Sequence, residues 1–231
     1  MRFLYSLFLI PVFFLFACKQ QLNDKKTIFS QYSTSGIRLE NSQDIWLQVD
    51  SVWFENREIS DNTVSVKSLW DRDSLYFLFR VTDKTLRAFQ TEKDHPKLFL
   101  DDMVEILIDA NNDKNSCWGI DDFVYHINIL GVIKDDRGTA DCQSDPSWDG
   151  NACCTVTLFG TLNDSSGSAL GYMVEIALPW TDINIQPHYN LKIGINFANG
   201  DNDGNGRQLF DWSGADPMRS PHAFGTLVLK E

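Results

Sequence analysis

The sequence predicts an all-β domain, an antiparallel β-sandwich of jelly-roll type with about nine strands. Three observations carry that expectation. Short apolar runs alternate with period two, they are bounded by Gly, Asp, Asn and Pro, and no segment sustains the 3.6-residue period of an amphipathic helix. The chain has 231 residues, 43% of them hydrophobic, and a formal net charge of −12. That balance supports one packed core and excludes disorder. The acidic excess argues against a nucleic-acid partner and against docking on anionic lipid by charge.

The elements follow in order. Thr63–Trp70 reads TVSVKSLW, with Val64 and Val66 on one face. Residues 75–81 read LYFLFRV and are apolar on both faces except at Arg80. Residues 103–110 put Val104, Ile106 and Ile108 opposite Glu105. Residues 123–130 put Phe123, Tyr125, Ile127 and Ile129 opposite His126 and Asn128. Residues 155–162, 172–178, 191–198 and 224–229 behave in the same way.

The first segment reads as targeting. Behind Arg2, residues 3–16 are apolar apart from Ser6 and broken once by Pro11, too few to span a bilayer but suited to a secretory signal. The following Leu15-Phe16-Ala17-Cys18 resembles the lipobox of bacterial lipoproteins. That resemblance implies cleavage before Cys18, lipid on its thiol and a place on the bacterial cell envelope, attached to the membrane through that lipid. An ordinary signal peptide cut near Ala17 is the alternative. Residues 1–17 are thus expected to be a signal peptide, 18–43 a lipidated cysteine and polar tether, and 44–231 the sandwich. Four further cysteines, Cys117, Cys142, Cys153 and Cys154, fit disulfides in an oxidising compartment. Cys153 and Cys154 are adjacent and point to opposite faces of a strand. Each is therefore expected to join one of Cys117 and Cys142.

Several phrases are more specific: SVKSLWDRDSLYFLFRVTD from Ser65, DDMVEILID from Asp101, DDFVYHIN from Asp121, GYMVEIALPWTDI from Gly171, and the terminal HAFGTL from His222. In that order they resemble the carbohydrate-binding module family 9 domain over roughly residues 44–229. The resemblance implies a β-sandwich that binds sugar without cleaving it, in support of polysaccharide capture and carbohydrate catabolism. Family members that bind sugar hold it between two tryptophans; here Phe99 stands at the first place. Met218-Arg219-Ser220-Pro221 stands where members carry W-R-D-P, so Met218 replaces the second tryptophan and Arg219 is kept. Glu105 matches the family's hydroxyl-binding glutamate, and His126 a basic residue on the next strand. The residues themselves point to the same wall: Glu105, His126 and Asn128 share the non-core face of two neighbouring strands beside an aromatic ring, which suits polyol recognition. An ordinary solvated sheet face is the alternative, with Arg80 pairing a carboxylate.

Catalysis is not expected. Glu105 and Glu175 are the one formal carboxylate pair, and glycoside hydrolysis needs such a pair about 5–10 Å apart across the bond. The phrase GDNDGNG at residues 200–206 supplies hard oxygens from Asp201, Asp203 and Asn205 on a tight loop, as Ca²⁺ requires. The family resemblance, whose members often carry structural calcium, implies the same ion. A second acidic loop, DANNDKN at 109–115, is a lesser candidate. Two other readings stay open: a haem b electron-transfer domain using His126 with Met103, Met173 or Met218, and a structural subunit whose sugar site has decayed.

Overall fold

The alternating runs become strands because each can bury one face. In the computed structural model, which describes residues 26–39, 43–204, 206–214 and 220–231, thirteen strands form one curled sheet. The strands are β1 (Thr27–Tyr32), β2 (Ser51–Glu55), β3 (Thr63–Trp70), β4 (Ser74–Thr82), β5 (Met103–Asp109), β6 (Asp122–Asn128) and β7 (Ile133–Gly138). They continue with β8 (Ser144–Asp145), β9 (Cys153–Leu158), β10 (Tyr172–Pro179), β11 (Lys192–Asp201), β12 (Gln208–Asp211) and β13 (Gly225–Lys230). Their order is β8-β7-β6-β5-β11-β13-β1-β3-β4-β10-β9, with β12 added to β11 and β2 to β3. The all-β class is as the sequence predicts, with more strands than the nine expected.

The sheet folds over on itself, so β7-β6-β5-β11-β13 lies across from β3-β4-β10-β9. Val64, Val66, Phe77 and Phe79 meet Val104, Ile106, Tyr125 and Phe197 in one apolar core. Phe197 stacks edge-on with both Phe77 and Phe79, at centroid distances of 5.4 and 5.6 Å. Edge-to-face geometry of this kind adds about 0.5–1.5 kcal/mol to the burial itself.

One strand departs from the expected tether. Residues 27–32 lie inside the sheet: β1 runs parallel to β13, pairing Ile28 with Leu227, and parallel to β3, pairing Gln31 with Leu69. It is the link by which one half of the sheet passes into the other. Its polarity hid it, because Ser30 faces the buried side and is satisfied there by the Ser68 hydroxyl at 2.8 Å. Strands β2, β7, β8 and β12 also fell outside the sequence-based expectation.

The expected disulfide pairing is corrected. Cys117 bonds to Cys142, with Cα atoms 5.5 Å apart, and Cys153 and Cys154 are free thiols. The reason is topological. Cys117 precedes β6 and Cys142 follows β7, so the β6–β7 hairpin brings both to its open end. Cys154, on β9, meets the turn at the other end, where its thiol reaches the Gly131 carbonyl at 3.4 Å.

No helix among the described residues is long and apolar enough to cross a membrane. Cys18, Asn205, Met218 and Arg219 lie outside the described residues.

Two predictions follow from this architecture. Ile28→Ala should cost about 2–5 kcal/mol in denaturant unfolding, as for other truncated core side chains, whereas a mere tether would tolerate the change. Alkylation of the folded, unreduced protein followed by peptide mass spectrometry should label Cys153 first. Cys154 should react slowly, because burial pushes its thiol up to about 11, and Cys117 and Cys142 should stay unlabelled until reduction.

Candidate functional site

The outer face of β11-β5-β6-β7 holds the residues in question. Register places Glu105 of β5 between Ala198 of β11 and His126 of β6, and His126 beside Lys134 of β7. Glu105 is fully buried (0% exposed) and does not lie on an open surface. Its Oε1 accepts a hydrogen bond from Arg207 Nη2 at 2.5 Å and lies 3.3 Å from His126 Nδ1. On the other side of the ring, His126 Nε2 is 3.7 Å from Asp136 Oδ2, which accepts from Lys134 Nζ at 2.7 Å. Burial pushes the Asp136 carboxyl up, but hydrogen bonds and charge from His126 and Lys134 outweigh it and hold it below the usual range. Arg207, Glu105, His126, Asp136 and Lys134 thus form one continuous row of polar contacts.

Phe99 belongs to the short 3-10 turn Leu98–Leu100 that leads into β5. Leu98 is buried and anchors the turn, which leaves the Phe99 ring 44% exposed. The Arg207 guanidinium sits 5.9 Å from the centre of that ring, so one side chain joins the aromatic surface to the Glu105 carboxylate. Gly200 makes room for it: a Cβ there would stand 3.4 Å from Arg207 Nε and 3.1 Å from Met103 Cγ. The sequence reading missed Arg207, which follows the glycine-rich hairpin directly, and missed Lys134 and Asp136 on β7.

Asn128 is corrected from ligand to turn residue. Its Nδ2 donates to the Gln90 carbonyl at 2.8 Å and to Asp101 Oδ2 at 2.9 Å. Its Oδ1 accepts from the backbone N–H of Leu130 and Val132. The two accepted bonds close the β6–β7 turn and the two donated ones tie it to the segment before β5, so all four hydrogen-bonding positions of the amide are used. The haem reading gains no support here: both His126 nitrogens face carboxylates, Met103 is fully buried, Met173 lies on the opposite outer face, and Met218 is outside the described residues.

Beside this wall, at one end of the sandwich, Asp83 from the end of β4, Asp102 from the start of β5 and Asp201 from the end of β11 converge. All three are buried, with one carboxylate oxygen of each lying within 4.8 Å of the others. Asp83 accepts from Thr85 N–H and Asn62 Nδ2, Asp102 from the N–H groups of Arg87 and Asn202, and Asp201 from the Ser60 hydroxyl. Two buried oxygens, Asp201 Oδ1 and Asn62 Oδ1, have no hydrogen-bond partner among the described residues. Burial, and then the neighbouring carboxylates, push Asp83 up to about 7 and Asp102 to about 9; Asp201 rises to about 6, mainly through burial. An all-oxygen set with unpartnered buried atoms fits a hard cation such as Ca²⁺. Of the expected ligands, Asp201 belongs here, and Asp203 groups with Asp201 and Asp61 at the exposed rim. Asp83 and Asp102 were missed because they come from distant stretches of chain. In the second acidic loop, Asp109, Asp113 and Asp121 form a comparable group.

Residues 40–231 match the family described as carbohydrate family 9 binding domain-like, and the chain belongs to that family. It is 29% identical over 192 residues to the exoglucanase XynX of Acetivibrio thermocellus, covering 80% of this chain and 16% of that protein. It is 30% identical over 178 residues to endo-1,4-beta-xylanase A of Thermoanaerobacterium saccharolyticum, covering 73% of this chain and 12% of that one. The chain thus spans a small fraction of the length of these relatives. Among solved structures, a carbohydrate binding module family 9 from Caldicellulosiruptor kristjanssonii in complex with cellotriose superposes with a TM-score of 0.64 at 22% identity, covering 89% of this chain and 94% of that one. Its glucose complex gives 0.63. At that identity the likeness is one of fold.

The carboxylate cluster has a testable pH signature. A carboxyl whose folded pKa is raised keeps its proton in the native state after the unfolded chain has released it. Stability is therefore fully present below about pH 4 and falls as pH rises through about 6 to 9. In chelator-treated protein the melting temperature should drop across that window. Excess Ca²⁺ should raise it most at the alkaline end, since an ion bound only by the native state stabilises it by mass action. Asp102→Asn should flatten both responses; melting that ignores both pH and Ca²⁺ would reject the site.

Proposed function

We propose that this chain is a non-catalytic carbohydrate-binding protein that holds a saccharide against Phe99 and the Arg207–Glu105 pair. The observation that carries the reading is the joining of an exposed ring, a guanidinium and a buried carboxylate in one place. A sugar offers a flat apolar face for the ring and hydroxyls for the partly exposed Arg207 guanidinium, which the buried Glu105 carboxylate holds from beneath, and charge-assisted hydrogen bonds are the stronger kind. His126 and Asp136 act behind Glu105, fixing its orientation. The relatives support the class of ligand: they are named as exoglucanase and xylanases, and the solved neighbours are named as bound to cellotriose and glucose.

Binding without cleavage is supported by the placement of the two candidate carboxylates. Glu105 and Glu175 sit on the outer faces of opposite halves of the sandwich with the whole core between them, so they do not flank a common bond. The proposed setting is the bacterial envelope, with the domain tied to the membrane by lipid on Cys18 and working in polysaccharide capture. A structural Ca²⁺ held by Asp83, Asp102 and Asp201 belongs to the same proposal, as a fixative for the loops beside the sugar.

Titration calorimetry with glucose and cellotriose tests it. Phe99→Ala should weaken binding by about 0.5–1.5 kcal/mol beyond the loss of buried area, with the melting temperature unchanged. Glu105→Ala should lower affinity and stability together, because breaking a buried ion pair leaves its partner uncompensated, at a cost of about 3–5 kcal/mol. Sugar binding that ignores Phe99→Ala and Arg207→Ala would overturn the site.

A further inference from the structure

A second recess lies on the opposite outer face, where α1 (Gln43–Trp46) crosses β3, β4 and β10. Its volume is about 470 Å³, within the range of small-ligand sites. Register sets two rows across its floor: Ser65, Arg80 and Met173 in one, and Lys67, Leu78 and Glu175 in the next. Lys67 and Arg80 are diagonal neighbours on adjacent strands, a spacing of roughly 7–8 Å. Neither makes an ion pair among the described residues.

Each cation is instead held in place by an uncharged group. Lys67 Nζ donates to the Trp46 carbonyl at 2.6 Å, leaving two of its three protons for other partners. The Arg80 guanidinium rests 5.7 Å from the centre of the Phe159 ring, which fixes the plane of its fork. Among the described residues lining the recess Glu175 is the one acidic side chain, and it is sunk in the floor. Two outward cations against one buried carboxylate form a local positive spot on a chain whose net charge is −12. One strand further out, Trp53 of β2 is paired with Ser65, points to the same side and is 64% exposed. A flat ring, hydroxyl-sized polar positions and an oriented guanidinium therefore run along one face.

We propose that this face is a second saccharide site that takes the interior of a polysaccharide chain bearing uronic-acid carboxylates. Arg80 would hold the carboxylate through paired N–H donors and Lys67 would add a second contact, while Trp53 and Phe159 provide stacking surfaces for neighbouring sugars. The proposal rests on the carbohydrate-binding reading of the chain but not on the Phe99 site, which lies on the other side of the core. Occupied together, the two sites would tie one protein to a polymer at two points, and linked sites multiply retention without any new contact.

Affinity electrophoresis of the full chain, through gels holding glucuronoxylan or the same polymer with its carboxyls reduced, tests this. Wild type and Phe99→Ala should both be retarded by glucuronoxylan. Arg80→Ala and Arg80→Gln should each weaken that retardation about tenfold, the scale of one charge-assisted contact. They should leave glucose affinity and melting temperature unchanged, because the side chain is exposed. Carboxyl reduction of the polymer should mimic the Arg80 variants, and added salt should weaken the wild-type interaction. The proposal is overturned if the Arg80 variants migrate like wild type, if both polymers retard wild type equally, or if Phe99→Ala alone abolishes retardation. If wild type binds no glucose and Phe99→Ala changes nothing while Arg80→Ala still releases the polymer, this site stands and the Phe99 reading falls.

Discussion

The end of this sandwich closes over three carboxylates, all buried. Asp83, Asp102 and Asp201 come from the ends of three strands, and two of them tie down backbone: Asp83 the start of the loop after β4, Asp102 both that loop at Arg87 and the hairpin at Asn202, while Asp201 accepts from the Ser60 hydroxyl. The wall of Phe99, Arg207 and Glu105 is built on these same segments. Asp102 directly precedes β5, whose lead-in turn carries Phe99, and Asp201 precedes the hairpin that carries Arg207. Loss of charge balance at the cluster would therefore loosen the turn and hairpin that bring the ring, the guanidinium and Glu105 together.

The strands legible in the sequence were those whose inward positions are apolar. β3 was read to the residue, and β4, β5 and β10 to within a residue or so, because Val, Ile, Leu and Phe recur at every second position there. β1 was illegible because its inward positions alternate Ile28 with Ser30, a serine satisfied by another serine. β7 was illegible for a related reason: Asp135 is buried on one side while Lys134 and Asp136 occupy the other, so neither face looks apolar. Burial of polar groups that find partners leaves no trace in a hydrophobic pattern.

The site shows the same division. Glu105 and His126 could be set side by side from alternation alone, and they are. What alternation could not supply was their surroundings. Glu105 is covered by Arg207, which arrives from a hairpin about a hundred residues later in the chain, and Asn128 is consumed by its own turn together with Gln90 and Asp101. The disulfide failed for an equivalent reason. Counting cysteines restricts the set, but which pair meets is decided by hairpin topology, and that places Cys117 and Cys142 at one end and β9 at the other.

The parallel pairing of β1 with β13 has a consequence for how the chain reaches this state. The two strands lie near opposite ends of the sequence, with Ile28 matched to Leu227. The strand that joins the two halves cannot complete its pairing until β13 has been synthesised. Contacts of such long sequence separation form late and slow the search for the native state. The sheet can therefore close only after β13 has emerged, and until then β1 and β11 each lack the neighbour that joins the two halves. During that interval their edges are open to other chains, so the order of synthesis makes β1 the segment on which timely folding turns.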